Sequence, residues 1–278
     1  MIKGVINRIL PFSSVDGPGN RTVVFLQGCN FNCLYCHNPE TINKCKHCGL
    51  CVKYCSYNAL TMVDDKIVWN REKCRYCDKC LEACQNDSSP RTVIMHVEDV
   101  VKEIVRIKSF ISGITVSGGE ALLQHRFVAA LFERIKALGL TSFLDTNGSI
   151  PLHHHCELVK YMDMAMVDLK SYSSKEHRLL TGKDNDIVLE NIKFLSKLNK
   201  LYEIRTVIVP GILDNYYNID MISRLIVDLD CEIRYKLIKY RPVGVRTGFV
   251  DSYVPSDDMM WELKTLAIQN GCKNVIII

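Results

Sequence analysis

Eleven of the chain's fourteen cysteines lie between residues 29 and 84, in three groups. The first is Cys29-x3-Cys33-x2-Cys36, inside the run Gly28-Cys29-Asn30-Phe31-Asn32-Cys33-Leu34-Tyr35-Cys36-His37-Asn38-Pro39. Three cysteines so spaced can converge on one small object, and three is one short of a closed site. A structural zinc ion takes four ligands and leaves none open, whereas a cubane iron–sulfur cluster on three thiolates keeps one iron free. A free iron can bind a substrate or cofactor, so the spacing suggests chemistry rather than scaffolding.

The other two groups are copies of one repeat about thirty residues apart: Cys45-x2-Cys48-x2-Cys51-x3-Cys55 and Cys74-x2-Cys77-x2-Cys80-x3-Cys84. This spacing resembles that of a bacterial two-cluster ferredoxin, in which the fourth cysteine of each run ligates the other cluster. The resemblance implies Cys45, Cys48, Cys51 and Cys84 around one cubane, and Cys74, Cys77, Cys80 and Cys55 around the second. The proline usual after the fourth cysteine is absent, being Ser56 and Gln85 here. Four-cysteine zinc binding is the alternative, but it has no need of a third cysteine at the same spacing. A secreted disulfide framework is a further alternative. The length of the chain, its lack of a leader pattern and the ligand-like spacing speak against it.

Composition sets the outer bounds. The 278 residues suit one large domain, or one domain with a small insertion, and 47% hydrophobic with 24% charged residues is ordinary for a soluble protein. No run approaches a membrane span, so a cytoplasmic protein is expected. The formal charge of +4 counts cysteine as neutral. Three clusters on eleven thiolates would bring it to about −1, so the basic pI is no argument for nucleic acid.

Elsewhere, short β-branched runs alternate with helical spacing. Strands are expected at Arg21 to Gln27, Gly113 to Ser117, Thr141 to Asp145, Ala165 to Leu169, Glu203 to Val209, Glu232 to Tyr240 and Asn274 to Ile278. Helices are expected at Val97 to Phe110, Leu122 to Leu138, Cys156 to Met162, Ile187 to Leu198, Ile219 to Leu229 and Asp257 to Asn270. Such alternation implies a parallel sheet with right-handed crossovers. Periodicity alone does not separate an incomplete barrel from an open doubly wound sheet. Asp16-Gly17-Pro18-Gly19 reads as a turn, with ligand contact as the alternative. In the cysteine-rich stretch, 59–62 and 66–69 read as two short strands of a unit too small for a large core.

Cys-x3-Cys-x2-Cys with Tyr35 before its last cysteine resembles the signature of radical S-adenosylmethionine (SAM) enzymes. The flanks Val15-Asp16-Gly17-Pro18-Gly19-Asn20-Arg21, Phe25-Leu26-Gln27-Gly28-Cys29 and Cys36-His37-Asn38-Pro39-Glu40-Thr41 resemble one branch of them, the activating enzymes of glycyl radical enzymes. The similarity runs over nearly the whole chain, and the cysteine repeat places it nearest the ferredoxin-domain activases of YjjW type. It implies an α/β fold: an incomplete (β/α)6 radical SAM barrel, residues 1–42 and 91–278, with an inserted ferredoxin-like domain of two [4Fe–4S] clusters at 43–90.

What the resemblance implies about residues is specific. Cys29, Cys33 and Cys36 would hold a third [4Fe–4S] cluster whose open iron chelates SAM. Tyr35 would lie beside the adenine, or simply pack the loop. Gly118, Gly119 and Glu120, with Ala121 where many such proteins have proline, would hold the methionyl amino group. A monovalent cation would sit near the SAM carboxylate on Asp145, Thr146, Met166 (main chain) and Asp168. Lys170 would contact the SAM carboxylate or ribose, against the plainer reading of a salt bridge to Asp145 or Asp168. Arg205 would meet the SAM carboxylate, or else a partner acid in the barrel. Tyr240-Arg241-Pro242 lacks the histidine that relatives often carry near the adenine. His153 to His155 are expected in a solvated loop or helix start, and Cys156, Cys231 and Cys272 as buried lone thiols.

The implied partners are a glycyl radical enzyme as protein substrate and a flavodoxin or ferredoxin as electron donor, with the chain a monomer. Two other functions compete: a radical SAM enzyme for a small molecule or peptide, and an electron carrier whose barrel is only a scaffold.

Overall fold

The computed structural model describes residues 2–246 and 248–278. Strands β1 (Lys3–Ser13) and β2 (Arg21–Leu26) pair antiparallel across the 14–20 turn. Gly17 there has φ +119°, and a Cβ on it would lie 2.9 Å from Arg21 Cδ, so the turn requires glycine. After β2 the chain leaves the sheet through the first cysteine loop and builds a small unit. Two one-turn helices, α1 (Leu50–Lys53) and α2 (Lys79–Glu82), flank the hairpin β3 (Leu60–Val63) and β4 (Lys66–Trp69). Its buried apolar cluster is small: Cys51, Leu60 and Cys80. Asn43 bridges Ser88, and its N–H donates to Asp87 O at 2.9 Å, so the segment departs and returns at one point.

The chain re-enters as β5 (Val93–His96), antiparallel to β1, and then alternates: α3 (Val97–Ile107), β6 (Gly113–Gly118), α4 (His125–Ala137), β7 (Thr141–Thr146), α5 (Cys156–Tyr161), β8 (Met164–Asp168), α6 (Ser174–Thr181), α7 (Asp186–Lys197), β9 (Leu201–Ile208), α8 (Asn215–Leu229), β10 (Arg234–Lys239), α9 (Asp257–Gln269) and β11 (Val275–Ile277). Nine strands form one sheet in the order β11-β10-β9-β8-β7-β6-β2-β1-β5, and β2 with β6 to β11 run parallel.

The period of two along each strand sorts side chains between the faces. Val24, Leu26, Ile114, Val116, Leu144, Val167, Ile204 and Leu237 meet the helices in the main apolar core. Burying each such side chain contributes about 1.5–3 kcal/mol. The alternate positions face the other way and carry polar groups: Arg21, Thr115, Ser117, Asp145, Asp168, Glu203, Arg205 and Lys236. On this face Lys236 of β10 donates from Nζ to Val15 O, next to β2, at 3.2 Å. In a flat sheet five strand steps of about 4.8 Å would separate β10 from β2, so the sheet curls on itself. This is the incomplete barrel rather than the open doubly wound sheet.

Asp16-Gly17-Pro18-Gly19 sits at the starting ends of the strands. There Asp16 O accepts from Thr115 Oγ1 at 2.6 Å and Arg21 lies over the Phe143 ring at 4.1 Å. It is a turn, at the end opposite the site described below. Helix α6 is not among those expected, Val97–Phe110 ends in a 3-10 turn (Lys108–Phe110), and two further helices differ. The Leu122–Leu138 stretch is broken into a 3-10 turn (Ala121–Gln124) and α4, because the Glu120 carboxylate caps the Leu122 N–H and Gln124 bonds Val5 and Gln27. Helix α8 starts four residues early, where Asp214 caps the Tyr217 N–H. Cys272 is buried as expected, but Cys156 is exposed at the first turn of α5 and Cys231 is only half-buried in the turn after α8. No helix among the described residues is long and apolar enough to cross a membrane.

Candidate active site

The C-terminal ends of β2 and β6 to β10 open on one cavity of about 220 Å³. Gly28, with φ +106°, turns the chain out of β2 into the cysteine loop. Backbone bonds then fix that loop on both sides. Cys29 N donates to Ile42 O at 2.9 Å, while Asn32 and Leu34 donate to Thr181 and Leu180 O at 3.1 and 2.9 Å, at the end of α6. The result is that Cys29, Cys33 and Cys36 all line the cavity. Gly118 and Gly119 line it from β6, Asp145 and Thr146 from β7, Asp168 and Lys170 from β8, and Arg205 from β9. Gly119 has a structural reason as well, since a Cβ there would meet Gly28 O at 2.2 Å.

The charges are arranged in linked pairs. Arg205 donates from Nη1 to Asp145 Oδ1 at 3.0 Å and from Nε to Glu203 Oε1 at 2.6 Å, and its Nη2 lies 2.8 Å from Met166 Sδ. Ser117 Oγ donates to the other Asp145 oxygen at 2.7 Å. Lys170 Nζ sits 2.7 Å from Asp168 Oδ2 and 5.7 Å from the centre of the Tyr35 ring. Burial pulls the Arg205 and Lys170 pKa values down, but Asp145 and Glu203, and Asp168, push them further up, so both side chains stay charged. The repulsion between Asp145 and Asp168 is thus met by two side-chain cations of the protein.

Two expected residues have other duties. The Glu120 side chain is fully buried and accepts from Leu122 N, Thr146 Oγ1 and Asn147 N, each at 2.8 Å. It braces the 146–147 turn behind the cavity wall rather than facing the cavity. Tyr35 is 2% exposed, packs with Val207 and Tyr240, and keeps a buried hydroxyl without a partner at the cavity wall. Tyr240-Arg241-Pro242 does lie at the site, since His37 Nε2 is 3.0 Å from Arg241 O. His153 and His154 are exposed in a 3-10 turn, and His155 stacks near His125 at 4.2 Å.

The eight remaining cysteines line two smaller cavities. Cys45, Cys48, Cys51 and Cys84 surround one, and Cys55, Cys74, Cys77 and Cys80 surround the other. These are the two crossed sets that the spacing implies. Among the described residues no three His, Cys, Asp or Glu side chains meet as ligands of a single metal ion. The thiols are instead spread around cavity walls, as a multi-iron group requires. Orphaned donors point the same way: Trp69 Nε1 is buried without a partner in the wall it shares with Cys74. Burial raises the Cys29 and Cys33 thiols to about 12 and 11, so the thiolate form there calls for a compensating cation. The residues fit iron–sulfur groups in all three places.

A model of the radical SAM superfamily matches residues 23–219. The chain belongs to the radical SAM superfamily. Among relatives, the pyruvate formate-lyase-activating enzyme of Streptococcus mutans is 32% identical, over 87% of this chain and 80% of that one. The indoleacetate decarboxylase activating enzyme of Tractidigestivibacter scatoligenes is 31% identical, over 99% and 98%. Among solved structures QueE from Escherichia coli aligns with 99% of this chain and 94% of its own, with TM-score 0.53 and 13% identity, which speaks to fold alone. Membership implies SAM and a [4Fe–4S] cluster.

Several site residues escape the sequence. Asn147 Nδ2 lies 3.1 Å from Asn30 Oδ1 and 3.8 Å from Cys29 Sγ. The Thr146-Asn147-Gly148 turn is a signal that could have found it. Arg246, in the loop after β10, donates to Asn32 Oδ1, Asp87 Oδ2 and Cys33 O at 2.7, 3.0 and 2.8 Å. Nothing local in Gly244-Val245-Arg246 announces that role.

Proposed function

We propose that the chain is an activating enzyme: it reductively cleaves SAM to a 5′-deoxyadenosyl radical and abstracts hydrogen from a backbone glycine of a partner glycyl radical enzyme. The observation that carries this is one cavity, at the strand ends, holding three cysteines, a Gly-Gly turn and two charged pairs. Its closest support outside the chain is that full-length relatives are named as activating enzymes. The work is anaerobic and cytoplasmic, by a monomer.

In this reading Cys29, Cys33 and Cys36 would hold a [4Fe–4S] cluster, which would supply the electron for SAM cleavage. The chain's own residues do the rest. The Gly118–Gly119 backbone receives the methionyl amino group, with Glu120 as the brace that keeps the turn in place. Arg205 and Lys170 offer positive charge to the SAM carboxylate or ribose, and Tyr35 walls the adenine side. Asp145, Thr146, Met166 and Asp168 could hold a monovalent cation, in competition with Arg205 and Lys170 for the same carboxylates. The segment 43–90 is a ferredoxin-like insertion in a barrel formed by 1–42 and 91–278, as in the ferredoxin-domain branch. Its two cysteine sets would hold [4Fe–4S] clusters, which would supply a relay for electrons from a flavodoxin or ferredoxin.

The test is anaerobic incubation of the reconstituted protein with SAM, reductant and candidate glycyl radical enzymes from the same cell. A glycyl radical spectrum on one partner supports the reading. Modification of a small molecule or peptide, with every partner left silent, overturns it.

A further inference from the structure

The two small cysteine cavities differ in their surroundings. Ile42 lines the cavity of Cys29, Cys33 and Cys36, and Cys45, three residues on, lines the first small cavity. Three residues span at most about 11 Å, so these two cavities are neighbours. Each small cavity has one exposed cysteine, Cys48 in the first and Cys77 in the second. The second, unlike the first, shares lining residues, Trp69, Asp78 and Arg91, with a surface groove of about 540 Å³ against β1, β5 and α3. The groove shares no lining residue with the cavity of Cys29, Cys33 and Cys36.

This face has the make-up of a transient protein interface, which is rich in tyrosine and arginine. Tyr54, Tyr57 and Tyr76 are 54%, 48% and 55% exposed around the cysteines. Two acids on the face are already committed, Asp78 to Arg91 at 2.7 Å and Glu103 to Arg106 at 3.3 Å. Arg8, Arg71, Arg75 and Lys79 have no carboxylate within ion-pair distance among the described residues. The half-buried Glu40 and the exposed Glu72 and Glu82 are the carboxylates left over. Uncommitted cations outnumber them four to three.

We propose that this face is the docking surface for an acidic one-electron carrier protein, with its redox group over Cys77 and its acids on Arg71, Arg75 and Lys79. The transfer moves one electron and no atoms: the carrier loses one electron and is oxidised, and the iron–sulfur centre that the four cysteines would hold accepts it and is reduced. The glycyl radical partner is a poor fit for the face, because its glycine must reach the separate cavity of Cys29, Cys33 and Cys36. The inference rests on the relay reading of the insertion.

The experiment measures binding of an acidic FMN flavodoxin to the iron-loaded chain at low and high salt. The variant is R71E/R75E/K79E, with K193E/K197E on the exposed side of α7 as control. The charge reversal is expected to weaken binding at least about tenfold at low salt and to abolish its salt dependence. Hydrogen exchange on the wild type should show protection over 54–57 and 71–79. Iron content and reduction by dithionite, which needs no docking, verify that the variant is loaded. Unchanged affinity, or protection at 37–38 and 241–246 instead, overturns the proposal. SAM cleavage driven by dithionite reports separately on the activase reading, so either can fail without the other.

Discussion

Arg205 joins Asp145 across two strands, Nη1 to Oδ1 at 3.0 Å, while its Nε holds Glu203 at 2.6 Å. The pair lies on the inner face of the curled sheet, where Glu203 is fully buried and Asp145 opens onto the cavity. Removing the guanidinium by Arg205→Leu leaves both carboxylates short of a partner, although Lys236 still reaches Glu203 at 2.8 Å. The expected cost is about 3–5 kcal/mol, seen as a lowered thermal midpoint, with Arg205→Lys losing less. An unaltered midpoint would show that the network is not structural.

Lys170 stands between Asp168 and the Tyr35 ring at the cavity wall. Lys170→Met should leave iron content unchanged and weaken SAM binding about ten- to hundredfold, the range for one charged hydrogen bond. Equilibrium dialysis with SAM decides it. Equal affinity would confine Lys170 to its salt bridge with Asp168.

Arg246 ties two separate segments to its own loop, with bonds to Asn32 and Cys33 in one and Asp87 in the other. Arg246→Ala should free the cysteine loop from the base of the 43–90 segment at a cost of about 1.5–3 kcal/mol per charged bond at most. Faster hydrogen exchange at 30–36 and at 84–90 is the expected signature. Change at only one of the two would mean that the residue is not a bridge.

Asp163 offers a pH test far from the cysteines. Burial raises its pKa, but the Ser142 N–H at 2.8 Å and Lys136 at 3.0 Å outweigh that and hold it below the usual 3.8. A depressed acid contributes stability above its unfolded pKa and loses it as pH falls through the folded one. In urea unfolding of the iron-free chain, wild type should exceed Asp163→Ala by about 1 kcal/mol at pH 7. The gap should close below pH 3.8. A constant gap would contradict the assignment.

Much of this was legible in residue order because the chemistry is local. Cysteine spacing anticipates the two crossed sets, and β-branched runs anticipate the parallel strands that carry Asp145, Asp168 and Arg205. Three kinds of feature were not legible. Strand β1 and the short β5 are edge partners whose pairing is set by the tertiary sheet, so little in Lys3–Ser13 marks them. The inward turn of Glu120 depends on donors 26 and 27 residues away. Arg246 reaches across more than 200 residues to the cysteine loop, and no local pattern encodes so long a contact. The exposure of Cys156 follows from its place at the solvent end of α5, whereas cysteine's usual burial points the other way.

The most direct test of the radical SAM site is 5′-deoxyadenosine formation by the anaerobically reconstituted chain with SAM and dithionite, beside Cys33→Ala. The wild type should form the product. The variant should form none while holding about four fewer irons, since the eight cysteines of the two smaller cavities are intact. A fully loaded wild type that forms no 5′-deoxyadenosine would contradict the assignment of Cys29, Cys33 and Cys36 and leave the chain an electron carrier.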